Sequence, residues 1–290
     1  IFLTHLNGLS ADMDPIMDIA GKHKLRVIED CARSCGILYK GKRVGSFDIG
    51  TFSFGYGKSF YDFGGGMVTS DDKTFMKRLR DLKKDFKKIS VKELYIQTLK
   101  GIILRFLNMP YLYRFSLYPI VYKFQVEGKE KYASRFRVKM PPYDTVPRNF
   151  LVDMNNVQTK IGLSQLKRID KTNKMRAENA QVLNEELGAI SHVHVIPSTP
   201  ERMNFAVHYA LWSEQKKELQ AFLTKNGIDT QDESAVDTTS LERFKPFVSK
   251  AYPHAQKLYG NVIFLPTHPY LSRRDMVYIA EKVKEFFTKK

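Results

Sequence analysis

The first 85 residues alternate short apolar stretches with helix-forming stretches, and this alternation constrains the fold more than any other feature. The apolar stretches IFLTHL, LRVIED and IGTFSF are typical of strands. Between the first two, DMDPIMDIAGKHK has a proline near its start and an apolar face, which predicts a short helix. A further strand, GGMVTSD, and a charged helix, DDKTFMKRLRDLKKDF, complete the region. Strands that alternate with helices predict an α/β unit with parallel strands.

The pattern changes after residue 85. LYIQTLKGIILRFL has helical spacing, and residues 86–139 carry twelve Lys or Arg against three Glu together with many aromatic residues. From residue 152 one long amphipathic helix is predicted, kinked near Gly162, followed by two strands and two helices. We therefore divide the chain into residues 1–85 of a large α/β unit, a basic aromatic insertion at 86–150, and the long helix with a small α+β domain at 151–290.

A lysine, Lys58, lies alone among aromatic and glycine residues in the stretch FSFGYGKSFYDFGGG. Asp30 closes the strand LRVIED, and Ser53 lies within FSF. Each residue alone has an ordinary explanation, as a solvated lysine, a turn aspartate and a half-exposed serine. Together they suit pyridoxal phosphate, since a desolvated amine forms a Schiff base with its aldehyde and a carboxylate holds a proton on its ring nitrogen. The Ser53 hydroxyl could bind the phosphate of the cofactor.

The same stretches resemble the DegT/DnrJ/EryC1/StrS sugar aminotransferases, of fold type I among pyridoxal phosphate enzymes. The matching stretches cover most of the chain outside roughly 86–145: ADMDPIMDIAGKHKLRVIEDCARSCG, YKGKRVGSFDIGTFSFGYGKSF, GGGMVTSDD, NNVQTKIGLSQLKRID and NVIFLPTHPYLSRRDMVYIAEKV. The resemblance implies an aspartate-aminotransferase-like unit with a mainly parallel sheet, followed by a small α+β domain. Because the chain opens on a strand without a methionine, we expect the family's N-terminal part to be missing.

By this resemblance, Lys58 forms the Schiff base and moves the proton during transamination, Asp30 binds the pyridine nitrogen and Ser53 binds the phosphate. Arg33 stands where the family usually has a glutamine near the cofactor. Asn149 is the nearest match to an asparagine that reaches the neighbouring subunit's phosphate. The implied substrates are a nucleotide-linked keto-sugar and glutamate or glutamine as amino donor, and the implied product is an amino sugar for polysaccharide or related glycans. The implied assembly is a homodimer with active sites at its interface.

Three rival interpretations remain open. Dehydratases of the family replace the lysine with histidine, so Lys58 favours transamination. A non-catalytic membrane- or partner-binding module of aminotransferase ancestry is the alternative from another class, and the joint presence of Asp30, Ser53 and Lys58 disfavours it. Nucleic-acid binding ranks lowest, because no zinc-finger, RNP or helix-turn-helix pattern accompanies the net charge of +16.

The cysteines, two histidines and the basic segment give the remaining expectations. Only two cysteines occur, Cys31 and Cys35, which predicts a reducing, cytoplasmic compartment and no zinc site. His5 follows the first strand and is expected near the cleft, whereas His268 in LPTHP is expected to pack or cap a turn. The basic segment 86–139 is expected either to contact an anionic membrane surface peripherally or to pack on the α/β unit.

Overall fold

The computed structural model describes residues 1–6, 8–55, 57–129, 150–190, 193–195, 208–231, 239 and 241–288. The strands in these ranges are β1 (Phe2–Thr4), β2 (Ile28–Asp30), β3 (Leu38–Tyr39), β4 (Lys42–Arg43), β5 (Ile49–Ser53), β6 (Gly66–Ser70), β7 (Lys87–Lys88), β8 (Val152–Asp153), β9 (His194–Val195), β10 (His208–Trp212) and β11 (Val262–Pro266). The helices are α1 (Met13–His23), α2 (Lys73–Leu82), α3 (Val91–Leu107), α4 (Pro110–Tyr113), α5 (Tyr118–Gln125), α6 (Asn156–Leu166), α7 (Ile169–Leu187), α8 (Lys216–Lys225), α9 (Pro253–Asn261) and α10 (Arg273–Thr288). Short 3₁₀ turns occupy Lys83–Asp85 and Glu242–Phe247.

The N-terminal sheet has the strand order β1-β2-β5-β6. Strands β1, β2 and β5 run parallel, as the sequence pattern predicts, and Asp30 is in register with Thr4 and Thr51. Strand β6 instead runs antiparallel to β5. The difference has a simple reason: a loop without a helix joins β5 to β6, and a parallel partner needs a helical crossover of a dozen or more residues. The sheet is therefore mixed.

An apolar cluster packs against this sheet. Helix α1 contributes the buried Met13 and Ala20, and the hairpin of β3 and β4 lies on the same cluster. The buried members are Leu3, Met13, Ala20, Val27, Cys31, Ile37, Tyr39 and Val44. Burial of one apolar side chain contributes about 1.5–3 kcal/mol to stability. This cluster therefore holds β1 and β2 together with α1 and the hairpin of β3 and β4.

The C-terminal part is built on a second sheet, which is antiparallel and has the order β11-β10-β9. Helices α7, α8 and α10 supply apolar residues that cover it. Its core is the largest buried cluster among the described residues: Ala180, Val182, Leu183, Leu187, Val193, Tyr209, Leu211, Leu219, Leu223, Ile228, Ile263, Leu265, Met276, Ile279, Ala280, Val283 and Phe286. The described residues thus combine three strands with helices α7, α8 and α10, and strand β11 was not among the two strands predicted for this part of the chain.

The single long helix predicted from residue 152 is wrong in one respect. The structure has two helices, α6 and α7, and the break lies at Lys167 and Arg168 rather than at Gly162. Gly162 continues α6 and is needed for another reason, because a Cβ there would lie 2.7 Å from Oδ2 of Asp62. The glycine permits close packing against the loop between β5 and β6.

The insertion begins with a well-formed helix. Ser90 and Glu93 form a capping box at the start of α3, with each side chain bonding to the other's backbone N–H. Among the described apolar residues of α3, only Leu94 is buried, and Tyr95 is 70% exposed. The apolar face, for which packing on the α/β unit was one of two expectations, is thus mostly open to solvent among the described residues. No described helix is both long and apolar enough to cross a bilayer.

Candidate active site

The lysine loop, residues 54–65, holds Lys58 at the end of the β5–β6 hairpin. The N–H groups of Asp62 and Gly64 both donate to the Phe54 carbonyl, at 2.9 and 3.2 Å, so the loop folds back on its own start. The rings of Phe54 and Phe60 are buried and their centroids lie 4.7 Å apart. These contacts give Phe54 and Phe60 a role in closing the loop, within which the Lys58 amine is half-buried.

Asp30 ends β2 and begins the turn that carries Arg33. Its Oδ1 accepts a hydrogen bond of 2.9 Å from the N–H of Ala32, which turns the chain directly after the strand. Ser34 then fixes the turn by donating its hydroxyl hydrogen bond to the His5 carbonyl, at 2.8 Å. Asp30 and Arg33 are therefore held at the carboxyl ends of parallel strands, the edge of an α/β sheet where ligands usually bind.

The charges of Asp30 and Arg33 affect the pKa of the Lys58 amine. Burial lowers the pKa of the Lys58 amine, the positive charge of Arg33 lowers it further, and the negative charge of Asp30 partly offsets both. Burial also lowers the pKa of Arg33, whose Nη1 has no hydrogen-bond partner among the described residues. A lowered pKa increases the fraction of neutral amine, which is the form that attacks carbonyl carbon.

A cavity of about 700 Å³ opens beside Lys58, and three parts of the chain line it. The lysine loop contributes Gly57, Lys58 and Tyr61. The end of α3 and the residues after it contribute Arg105, Asn108 and Met109. The C-terminal part contributes Arg176, His208, Asp229, Gln231, Phe264, Pro266, Thr267, His268 and Tyr270. The size suits a small-molecule ligand.

The lining of the cavity favours anions. Arg105 and Arg176 lie on different walls, and Asp229 is the acid among the lining residues. Burial, with the charges of Arg33 and Arg176, lowers the pKa of His208 to about 4, so its imidazole is neutral near pH 7. A concave surface with excess positive charge raises the local concentration of anionic ligands.

His5 lies behind the site rather than in the cleft where it was expected. It is fully buried, and its Nδ1 accepts a hydrogen bond of 3.0 Å from the N–H of Ala11, which places the ring hydrogen on Nε2. Nε2 donates to Glu29 at 3.1 Å. The Glu29 carboxylate also accepts from the N–H groups of Gly45 and Phe47, at 2.7 and 2.8 Å. This network joins β1, β2 and the loop before β5.

The ligand atoms of His5, Glu29 and Cys31 lie within 4.8 Å of one another, a spacing that would suit a metal ion. Burial alone would raise the pKa of Glu29, but hydrogen bonds from His5, Gly45 and Phe47 hold it below its ordinary value. Burial raises the pKa of the Cys31 thiol well above its ordinary value. Both imidazole nitrogens and both carboxylate oxygens are already hydrogen-bonded, so these side chains support the sheet and are not free to hold a metal.

Of the sequence-predicted residues, Asp30 and Arg33 lie near enough to Lys58 for their charges to shift the pKa of its amine. Ser53 ends β5 on the neighbouring strand and is half-buried. Asn149 lies outside the described residues. Sequence reasoning missed Arg176 and His208, which reach the cavity from α7 and β10 and have no local motif that would reveal them. His268, expected to pack or cap, accepts a hydrogen bond of 3.4 Å from the N–H of Tyr270 and also lines the cavity.

Comparison with known proteins gives consistent matches. A sequence model of the DegT/DnrJ/EryC1/StrS aminotransferase family matches residues 1–109 and 116–284. The chain is 28% identical over 302 residues to GDP-perosamine synthase of Escherichia coli O157:H7, an alignment covering 100% of this chain and 66% of that protein. It is 24% identical over 288 residues to dTDP-3-amino-3,6-dideoxy-alpha-D-galactopyranose transaminase of Aneurinibacillus thermoaerophilus, covering 99% of this chain and 65% of that protein.

Solved structures agree in fold. Spr1654 of Streptococcus pneumoniae, solved in its PMP form, superposes with a TM-score of 0.70 at 20% identity, covering 100% of this chain and 69% of that one. The chain spans about two thirds of the length of the curated relatives it matches. The mixed α/β sheet of the N-terminal part is thus placed within a known fold.

Proposed function

Because the chain belongs to the DegT/DnrJ/EryC1/StrS aminotransferase family, we propose that it carries the lysine site of a pyridoxal phosphate-dependent aminotransferase that converts a nucleotide-linked keto-sugar into an amino sugar. The observation that carries this proposal is the half-buried Lys58 amine on the wall of the cavity, with its pKa lowered by burial and by Arg33. The amino sugar would serve the synthesis of a polysaccharide or related glycan, as the family resemblance implies.

The residues at the site fit pyridoxal phosphate. Lys58 supplies an amine for its aldehyde, Asp30 a carboxylate for its pyridine nitrogen, and Ser53 a hydroxyl for its phosphate. The unpartnered Nη1 of Arg33 is a buried donor that an oxygen of a bound group would satisfy. Asn149 stays a proposed phosphate ligand on the resemblance alone. When bound, the cofactor supplies a protonated ring that withdraws electrons from the carbon next to the transferred nitrogen.

Each residue at the site has its own proposed role in the reaction. The Lys58 amine accepts a proton and returns it, a role that its lowered pKa suits because a base works best when its pKa lies near the working pH. The negative charge of Asp30 holds a proton on the ring nitrogen. Arg33 keeps positive charge beside the amine and so favours its neutral form. The cations of the cavity hold the anionic groups of the substrates, which we take to be the nucleotide-linked keto-sugar and glutamate or glutamine.

We also propose a homodimer with active sites at the subunit interface, and a division of the chain at residues 85 and 150. The dimer is supported by the family resemblance. The two largest apolar clusters support the division, since one lies within residues 3–44 and the other within residues 180–286, and a smaller cluster of Phe54, Phe60 and Ile169 joins the two parts. Sedimentation of the full protein at micromolar concentration tests the dimer, and a fully active monomer would contradict it.

A cytoplasmic location, with peripheral contact to the inner membrane, completes the proposal. Cys31 and Cys35 are both free, which suits a reducing compartment. Around α3 and α4, exposed rings such as Tyr111 and Phe115, 88% and 81% exposed, lie in a segment rich in Lys and Arg. Such surfaces bind anionic lipid headgroups. In liposome flotation we expect binding to anionic vesicles that weakens with salt, and a protein that stays unbound at low salt would contradict the contact.

The central test is direct. We expect pyridoxal phosphate to give the protein a visible absorbance band, and borohydride reduction followed by peptide mass mapping to locate the cofactor on Lys58. Lys58→Ala should lose both the band and transamination of a nucleotide keto-sugar, whereas Lys73→Ala, an exposed lysine of α2, should keep both. Retained turnover in Lys58→Ala would refute the assignment.

The same test judges the alternative of a non-catalytic module. That alternative predicts a protein without the visible band but with lipid or partner binding intact. The half-buried position of Lys58 beside Asp30 and Arg33 disfavours it, because a lysine kept only for solubility would extend into water.

A further inference from the structure

We propose that residues 86–129 form a wall of the catalytic cavity and that Arg105, at the end of α3, binds the diphosphate of the nucleotide-linked substrate. The inference rests on the proposed function, and it assigns a recognition role to a part of the chain that the lysine site does not explain.

The start of the segment is fixed to the chain that precedes α6. Strand β7 pairs in parallel with β8, and the N–H of Ile89 donates to the Asp153 carbonyl at 3.3 Å. Lys83, just before the segment, forms an ion pair with Asp153 at 2.9 Å. The capping box of Ser90 and Glu93 then starts α3 at a defined residue. The entry of the helix is therefore held by backbone and side-chain bonds together.

The middle of α3 rests on the lysine loop. A Cβ at Gly101 would lie 2.9 Å from Cε1 of Phe63, closer than side chains normally approach. Glycine at this position lets the helix axis come near the ring. Phe63 itself has a left-handed φ of 54°, an uncommon conformation for a bulky residue, and lies five positions after Lys58. This contact places the middle of α3 against the lysine loop.

The end of the segment is tied to the C-terminal part. The Tyr118 hydroxyl donates to the Thr224 carbonyl at 3.0 Å. The Gln125 amide donates to the Thr230 carbonyl at 2.9 Å and accepts from the Thr224 hydroxyl at 2.5 Å. The segment consequently bridges from the lysine loop to helix α8 and the residues that follow it, and residues from both attachments line the cavity.

Three residues of the segment line the cavity: Arg105, Asn108 and Met109. A cation in the last turn of a helix is often explained by the helix dipole, a benefit of about 0.3–1 kcal/mol. That explanation does not account for a second guanidinium, Arg176, on another wall of the same cavity. In the described part of the chain Arg105 forms no ion pair that would occupy it.

Two guanidinium groups around one cavity match a diphosphate better than a single carboxylate. Guanidinium forks bind phosphate oxygens in pairs, and a diphosphate offers two adjacent phosphates. Lys58 lies on the same cavity, so a substrate held by its diphosphate would keep its sugar within the space that the amine faces. The two curated relatives are named for GDP- and dTDP-linked sugars, whose common part is the diphosphate.

Binding of uridine diphosphate and guanosine diphosphate, measured by calorimetry on the full protein, tests the inference without needing turnover. We expect Arg105→Gln to weaken binding of both by about 10- to 100-fold, the usual cost of losing hydrogen bonds between charged groups. Lys100→Gln removes an exposed cation from the same helix that does not line the cavity, and we expect a change of less than about twofold. The diphosphate affinity of Arg105→Lys should lie between those of wild type and Arg105→Gln, because lysine keeps the positive charge but lacks the planar guanidinium group.

Gly101→Val supplies a variant that removes no charge. Its branched side chain should push α3 away from Phe63, displace Arg105 and weaken diphosphate binding while circular dichroism still shows helix. In turnover assays with Arg105→Gln, KM should rise for the sugar nucleotide and not for the amino donor.

Equal affinities in Arg105→Gln and wild type would overturn the inference, as would an equal loss in Lys100→Gln or a rise in KM for the amino donor alone. Wild-type diphosphate affinity in Gly101→Val would also overturn the anchoring of α3 on Phe63. Cofactor loading is measured on the same preparations. Failure of wild type to bind pyridoxal phosphate would contradict the proposed function, whereas normal loading with unchanged diphosphate binding in Arg105→Gln would contradict this inference alone.

Discussion

Asp62 offers the most quantitative test of how the lysine loop is built. It lies four residues after Lys58, is fully buried, and neither carboxylate oxygen has a hydrogen-bond partner among the described residues. Its Oδ2 faces the backbone of α6 at Gly162. Burial raises the pKa of Asp62 from its ordinary 3.8 to about 6. Near pH 7 the folded protein therefore holds an uncompensated charge in this position.

The sign and size of the effect follow from linkage. Because the folded pKa lies above the unfolded one, the folded protein binds the proton more tightly, and stability falls as pH rises from 3.8 through about 6. The full difference corresponds to at most about 3 kcal/mol. Local relaxation and solvent screening reduce the expected effect to about 1–2 kcal/mol. Asp62→Asn keeps the shape and removes the charge, so it should stabilise the protein by that amount above pH 6.

Urea unfolding between about pH 4 and pH 8 measures this difference. We expect the curves of Asp62→Asn and wild type to coincide at the acid end and to separate as pH rises through the pKa of Asp62. Asp71→Asn, an exposed aspartate just after β6, is the matched control and should show no such separation. A stability difference that does not change with pH, or an Asp62→Asn variant less stable than wild type at pH 7, would refute the reasoning.

Four further substitutions test the site and its support. Arg33→Gln should raise the pKa of Lys58, because it removes a positive charge beside the amine, and this would appear as an upward shift in the pH dependence of cofactor binding. Asp30→Asn should still bind the cofactor but turn over at least about 100-fold more slowly, and equal rates would mean that Asp30 only shapes its turn. Glu29→Gln should lower the free energy of unfolding, measured in urea, by about 2–4 kcal/mol, because it breaks a buried hydrogen-bond network. The pKa of Glu29 is lowered in the folded state, so its contribution to stability is complete above the ordinary pKa of 4.5 and is lost as pH falls through the folded pKa. Gly50→Ala should cost about 3 kcal/mol or prevent folding, because its Cβ would overlap the Gly45 carbonyl oxygen, and a wild-type melting temperature would contradict the close approach of β5 to that turn.

Sequence patterns predicted the parts of the site that depend on local order. Asp30 closes one predicted strand, Ser53 lies within the next and Lys58 follows in the loop after it, and the structure has the same local order. The roles of these three residues stay a prediction. The family resemblance drawn from these stretches is confirmed by the family match. The alternation of strands and helices was sufficient because parallel strands bring their carboxyl ends to one edge.

Other features depended on long-range packing and were not predictable from pattern. The direction of β6 depends on how its loop returns, and apolar periodicity is the same for parallel and antiparallel neighbours. Gly162 suggested a kink, whereas its lack of a Cβ serves contact with Asp62. Arg176 and His208 come from segments far from Lys58 in sequence, and nothing in their neighbours distinguishes them from surface residues.

The hairpin of β5 and β6 has a kinetic consequence. Its two strands are close in sequence, so the lysine loop can close early and at small entropic cost, while β1, β2 and β5 must first bring distant segments together. The C-terminal core forms from residues 180–286 without help from the first sheet. Refolding should therefore give protection of the Lys58 loop amides before the cavity exists, and competence to bind anions should appear only in the last phase, when the segment from α3 to α5 joins the two parts.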